Sequence, residues 1–150
     1  MEKYPLITAL ISMTRDRESI PETDACLFPV TEKTLEQWRT IYKERMADVP
    51  NAASMTRDDA LKLLKKGTGY FIHKDGELLG IGSAGGDTVE TVIAVKRGAG
   101  KDVLLALCNA LFCENIILEV ASVNVSAIRL YERLGFVKTA ERSCWHTVSK

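Results

Sequence analysis

Asn124-Val125-Ser126-Ala127-Ile128-Arg129-Leu130-Tyr131-Glu132-Arg133-Leu134-Gly135-Phe136 is the stretch on which the fold of this chain turns. Asparagine is a strong helix N-cap, because its side-chain carbonyl accepts a hydrogen bond from an otherwise unpaired amide of the first turn. Ala127, Leu130 and Leu134 recur at spacings of three and four, the period of one helix face, so a helix is expected over about 125–134, packed through that stripe. Gly135 suits its C-terminal stop. Tyr131, next to Leu130, is expected to face away from the middle of the stripe and to reach a cleft. Just upstream, Ile116 to Val120 reads as a buried strand, so Asn124 stands where a strand hands over to a helix.

A second junction of the same kind lies earlier. Thr88 to Val95, rich in valine, isoleucine and threonine, reads as a strand, and Asp102 to Cys113 as a helix with Val103, Leu104, Leu107, Ala110 and Leu111 on its apolar side. Between them stands Arg97-Gly98-Ala99-Gly100-Lys101. Glycines let the backbone turn tightly, and the free amides of a helix's first turn carry the positive end of its dipole, so this turn is built to cradle an anion or merely to start a helix. Arg97 and Lys101 add fixed positive charge.

Further upstream, Tyr70 to Lys74 and Glu77 to Gly82 flank Asp75-Gly76, a strong hairpin signal, and Gly85-Gly86-Asp87 makes the next turn, giving a three-stranded antiparallel meander. Thr56-Arg57-Asp58-Asp59 resembles a capping box for a helix ending at Gly67. Leu35, Trp38, Tyr42 and Met46 mark an earlier amphipathic helix opened by Thr31, and Ala25 to Val30 a short buried strand. After the last helix, Phe136 to Lys138 and Cys144 to Val148 read as two closing strands. The expected order is strand, two helices, three strands, helix, strand, helix and two strands: an α/β (α+β) domain with a mixed, mostly antiparallel sheet flanked by helices, over 25–150, preceded by an N-terminal extension of residues 1–24.

Composition narrows the function. With 150 residues, 46% hydrophobic, the chain suits one domain able to bury a full core. Twenty basic side chains balance twenty acidic ones, which argues against a broad polyanion-binding or anionic-membrane surface, so neither nucleic acid nor membrane is an expected partner. Cys26, Cys108, Cys113 and Cys144 include no CxxC pair and the histidines are only His73 and His146, so no metal site is expected and the thiols read as free in a reducing cytoplasm. The apolar run Leu6 to Met13 is too short to span a bilayer. Gly80-Ile81-Gly82-Ser83-Ala84-Gly85 matches a dinucleotide fingerprint in letters, but another strand rather than a helix follows, so these glycines read as strand and turn positions. Gly100-Lys101 lacks both the earlier glycine and the following Ser or Thr of a nucleotide-triphosphate loop.

The Asn124–Phe136 run resembles the N-x-x-A-x-x-L-Y-x-x-x-G-F segment of the GNAT superfamily of N-acetyltransferases, with every defined position present. The glycine turn resembles that superfamily's Q/R-x-x-G-x-G/A pyrophosphate loop at Arg97 and Gly100, with Asp102 where Gly or Ala is usual. The resemblance covers about residues 70 to 148. It implies acetyl-CoA as co-substrate, its pyrophosphate held by Arg97, Gly98, Ala99, Gly100, Lys101 and Asp102, its pantetheine along Val92, Ile93 and Ala94, and Asn124 near a cofactor amide. It further implies Tyr131 as the general acid that returns a proton to the thiolate.

A base must leave the amine neutral for attack. Glu90 is the first candidate and Glu119 the second. The acceptor, a primary amine of a small molecule or peptide, is expected against the first two helices and the Gly85-Gly86 turn, and the protein is expected as a monomer or homodimer. A non-catalytic acyl-CoA sensor or an interaction module retaining the fold are the alternatives.

Overall fold

The computed structural model describes residues 3–47 and 55–147, with side chains over 9–47 and 55–141. In chain order the elements are β1 (Lys3–Asp16), β2 (Cys26–Pro29), α1 (Leu35–Met46), α2 (Arg57–Lys66), β3 (Gly69–Lys74), β4 (Glu77–Gly85), β5 (Thr88–Ala94), α3 (Gly100–Asn109), β6 (Asn115–Ala121), α4 (Val125–Arg133) and β7 (Val137–Thr147). The strands form one sheet in the order β2-β3-β4-β5-β6-β1-β7, antiparallel except for the parallel pair β5/β6. This is the mixed, mostly antiparallel sheet with flanking helices that the sequence pattern calls for.

Local chemistry explains the elements. Thr56 and Asp59 close the capping box of α2, each side chain taking the other's backbone N–H at 3.1 Å, and Gly67 ends the helix at φ +70°. Asp75 (φ +53°) and Gly76 (φ +78°) form the tight hairpin turn between β3 and β4. On one side of the sheet, Val103, Leu104 and Leu107 of α3, Tyr131 of α4 and Leu134 just beyond it pack with Ile11, Met13, Val89, Ile116 and Leu118. A second core joins Leu35, Trp38 and Tyr42 of α1 and Ala60 of α2 to Phe71, Ile81 and Ile93.

The glycines of the false dinucleotide fingerprint serve packing. A Cβ on Gly80 would lie 2.2 Å from the Ile93 carbonyl oxygen, and one on Gly82 would lie 2.4 Å from Leu107 Cδ1, so α3 lies directly on β4 only because both lack side chains.

Residues 3–16, expected to stand ahead of the domain, instead form an interior strand. β1 is hydrogen-bonded to β6 on one side and β7 on the other, and Ala9, Ile11 and Met13 are buried. The connection that follows it is tied down as well. Arg15 donates to the Leu134 carbonyl at 2.5 Å, and Arg17 donates to the Leu111 carbonyl and, at 3.2 Å, to that of Asn109. Two cations thus satisfy carbonyls just beyond the C-terminal ends of α4 and α3 or in the last turn, where positive charge is favoured.

Other expectations shift. β2 is an edge strand rather than a buried one, with Phe28 50% exposed. α1 starts at Leu35 behind Thr34, not at Thr31. α3 begins two residues earlier than expected and ends at Asn109, so Cys113 is outside it. The two closing strands are one, β7, bent by register shifts. The side chains of Cys144, Trp145 and His146 and the strand end at Val148 lie outside the described residues.

Candidate active site

The parallel pair carries the key irregularity. β5 and β6 pair at only two positions, Thr88 with Ile117 and Val89 with Leu118, and then separate. The separation starts at a β-bulge. Thr91 faces Ser83 and Val89 faces Ala84, leaving Glu90 as the extra residue on β5. A bulge bends its strand and breaks the side-chain alternation. Val89 accordingly enters the α3/α4 core, while Ile93 enters the α1/α2 core.

β6 remains paired with β1 along its length, so a wedge-shaped gap opens toward the C-terminal ends of β5 and β6. The N-termini of α3 and α4 follow those ends, the place where open α/β sheets take ligands.

The backbone of β5 lines this gap. The Val95 amide donates to the Leu79 carbonyl at 2.8 Å. In an antiparallel pair such bonds alternate along the strand, so Ile93 and Thr91 also turn their backbone groups to β4, whereas Val92 and Ala94 turn theirs toward the gap. Of the three backbone positions assigned to the pantetheine, Val92 and Ala94 thus offer unpaired groups and Ile93 does not.

Past β5 the turn runs into α3. Gly98 has φ +81°, and Ala99 is an N-cap without a side-chain cap bond. The first amides of α3 are therefore left open. They border a recess of about 420 Å³ lined by Gly98, Gly100, Lys101, Ser126, Leu130 and Arg133, among others. A Cβ on Gly100 would stand 3.3 Å from Leu130, so this glycine is where α3 and α4 come together. Arg97 lies on the other flank, in a recess of about 350 Å³ that it shares with Lys74, Lys96, Gly98, Ala99 and Asp102. Lys96 is paired with Glu77 at 2.7 Å, while Arg97 and Lys101 form no ion pair among the described residues. Ser126 and Arg133 were not anticipated. Their signal was present in the sequence, since 126, 130 and 133 fall on one helix face.

Asp102 turns its carboxylate out of the α3/α4 recess, accepting a hydrogen bond from Thr23 Oγ1 at 2.9 Å with Lys74 Nζ at 3.8 Å. Asn124 caps α4, its side-chain oxygen accepting from the Ala127 amide at 3.3 Å.

Tyr131 is placed differently from expectation. It is 7% exposed and, with Leu134, is buried in the core, while Ala127, Ile128 and Leu130 are half-buried around it. Its ring packs on Phe136 with centroids 6.2 Å apart, and burial, followed by the nearby Cys108, pushes its pKa up to about 12. Glu90 is exposed at the bulge, where the gap begins. Glu119 is exposed on β6, opposite Ser12 of β1. The Gly85-Gly86 turn lies at the start of β5, the closed end of the gap, and so is removed from the open end. α1 reaches the open end instead, where Arg45 donates to the Val95 carbonyl at 3.3 Å.

Residues 35–136 match the model of the Acetyltransferase (GNAT) family. The chain belongs to the GNAT family. No curated protein matches it by sequence. Among solved structures, a GNAT-family acetyltransferase from Novosphingobium aromaticivorans superposes with a TM-score of 0.64 at 19% identity, over 96% of this chain and 65% of that one. Naa50 of Arabidopsis thaliana, in complex with the bisubstrate analogue CoA-Ac-MVNAL, gives 0.56 at 15% identity over 79% of this chain and 86% of its own. The aminoglycoside N-acetyltransferase AAC(6')-Iy, in complex with CoA, gives 0.58 at 15% identity over 86% and 98%.

Several of the matched chains are longer, and this GNAT chain spans 51 to 65% of them. Among the described residues no group of three or more His, Cys, Asp or Glu side chains is placed to hold a metal, and no helix is long and apolar enough to cross a membrane.

Proposed function

We propose that this GNAT chain transfers an acetyl group from acetyl-CoA directly to a primary amine of a small molecule or peptide. One observation carries the proposal: an unpaired backbone edge at Val92 and Ala94 leads, along a gap in the sheet, to an uncapped helix N-terminus. An amide-bearing arm ending in a pyrophosphate is complementary to that track. Val92 and Ala94 pair with the arm, and the amides of Gly100 and Lys101 receive the pyrophosphate, with Arg97, Lys101 and Arg133 neutralising it. Asn124 is taken up by capping α4 and acts by fixing that helix. Complexes of the matched enzymes with CoA or a CoA–peptide analogue support the same co-substrate and an amine acceptor.

Attack needs a neutral amine, and Glu90, exposed at the bulge, accepts its proton directly or through water. Tyr131 acts at the departing sulfur. A phenol at about 12 keeps its proton at neutral pH. Passing that proton fully to a thiolate of pKa near 8.5 would be uphill by about 5 kcal/mol, so the role that fits is a hydrogen bond donated to the sulfur as charge develops.

Tyr131→Phe should lower kcat on the order of ten- to a hundredfold while leaving acetyl-CoA binding intact. Free-thiol release from acetyl-CoA across a panel of primary amines, with this variant alongside, tests the activity. Release with no amine despite firm binding would support a second reading, an acyl-CoA sensor without turnover, which the burial of Tyr131 favours. We place the protein in the cytoplasm, as a monomer or homodimer, without nucleic acid or membrane partners.

A further inference from the structure

Two helices of this chain carry an aspartate in the third helical position, and the two behave differently. In α2, Asp59 folds back and accepts the Thr56 amide at 3.1 Å, closing the helix end. In α3, Asp102 occupies the same position behind an N-cap, Ala99, that has no capping side chain. The Ala99 amide that a capping box would use already donates to the Lys96 carbonyl at 3.1 Å, so a carboxylate left to itself would rest beside the open amides of the first turn, at the end where an anion is to be bound. Asp102 is held elsewhere. Thr23 Oγ1 donates to Asp102 Oδ1 at 2.9 Å, and Lys74 Nζ stands 3.8 Å from Oδ2.

Thr23 is delivered by the connection between β1 and β2, which is pinned along α3. Arg17 bonds the carbonyls of Leu111 and Asn109, and Asn109 Nδ2 donates to the Pro21 carbonyl at 3.3 Å. The connection therefore spans α3 from its C-terminal end to Asp102. Lys74 comes from the end of β3, at the hairpin turn.

We propose that Thr23 and Lys74 are positioning residues that hold the Asp102 carboxylate off the N-terminus of α3, keeping its amides available to the pyrophosphate of acetyl-CoA. This rests on the acetyl-CoA reading above. It also accounts for an acidic residue being tolerated in a pyrophosphate loop: its charge is neutralised by Lys74 and directed away from the recess shared with α4.

The test is calorimetric titration of coenzyme A into the full chain and into Thr23→Val, Thr23→Ser, Asp102→Asn and the double variant Thr23→Val/Asp102→Asn. Thr23→Val should raise Kd about three- to tenfold, because the freed carboxylate turns onto the helix end. Thr23→Ser, which keeps the hydroxyl, should bind as the parent does. The double variant should return to within about twofold of Asp102→Asn, since an uncharged amide has nothing to be held away from. That rescue is what a merely structural role of Thr23 would not show. Lys74→Met should weaken binding in the same direction and be rescued by the same Asp102→Asn change. Parent binding with Thr23→Val unchanged, or weakened but not rescued, overturns the positioning role alone. Absence of coenzyme A binding by the parent overturns the acetyl-CoA reading, and this inference with it.

Discussion

Tyr131 shows how one side chain decides between chemistries. Adjacent to Leu130 on a helix, it looks displaced from the apolar stripe, yet the face that meets the core is centred between Ala127 and Leu134, and Tyr131 lies on that line. Which of two neighbouring helical positions is buried depends on how the helix is rotated against the sheet, and periodicity alone does not fix that rotation to better than one residue. Burial pushes Tyr131 up to about 12 from 10.0 and Cys108 up to about 12 from 9.0. Both acids are therefore raised in the folded state. Their contribution to stability is complete below about pH 9, falls as pH climbs through 9 to 12, and is gone above that, because the unfolded chain ionises first. Chemical denaturation from pH 8 to 11 should show this loss, and Tyr131→Phe should flatten it above pH 10, with each unit of removed shift returning about 1.4 kcal/mol. A variant as pH-sensitive as the parent would contradict the buried placement.

At the scale of elements, α3 lies close on β4. That contact depends on Gly80 and Gly82, and a Cβ on Gly82 would meet Leu107 Cδ1 at 2.4 Å and the Thr91 carbonyl oxygen at 2.6 Å. Gly82→Ala should destabilise the fold by about 1–3 kcal/mol, read as a lower urea midpoint at unchanged slope. An unshifted midpoint would mean that α3 has room to move away. The two strand-to-helix junctions were legible because each is local: a cap or a glycine turn, then a helical period. The bulge at Glu90 was not. It is a matter of register between two strands, and a strand's own letters do not say how many residues its partner will face. The divergence of β5 from β6 follows from that register and was equally hidden. Arg15 and Arg17 were hidden for a similar reason, since the carbonyls they satisfy lie about a hundred residues away in the chain.

For the whole molecule, the instructive segment is β1. Leu6 to Met13 was legible as apolar, but an isolated apolar run gives no address, and its partners are the last strand and one near residue 118. Contacts of that sequence separation cannot be assigned from one chain's pattern. β1 fills the sheet between β6 and β7 and supplies Ile11 and Met13 to the core. Deleting residues 1–16 should abolish cooperative folding, because two strands lose their partner as the core loses side chains. Circular dichroism melts check this, and a sharp transition near that of the full chain would contradict the interior placement.

In the proposed function, the gap between β5 and β6 and the open end of α3 form one continuous site for acetyl-CoA. The most direct measurement is the melting temperature of the full chain against acetyl-CoA concentration. At one hundred times Kd the native state should gain about 2.7 kcal/mol, a rise of roughly 5–10 °C for a chain of this size. No rise at millimolar acetyl-CoA would contradict it.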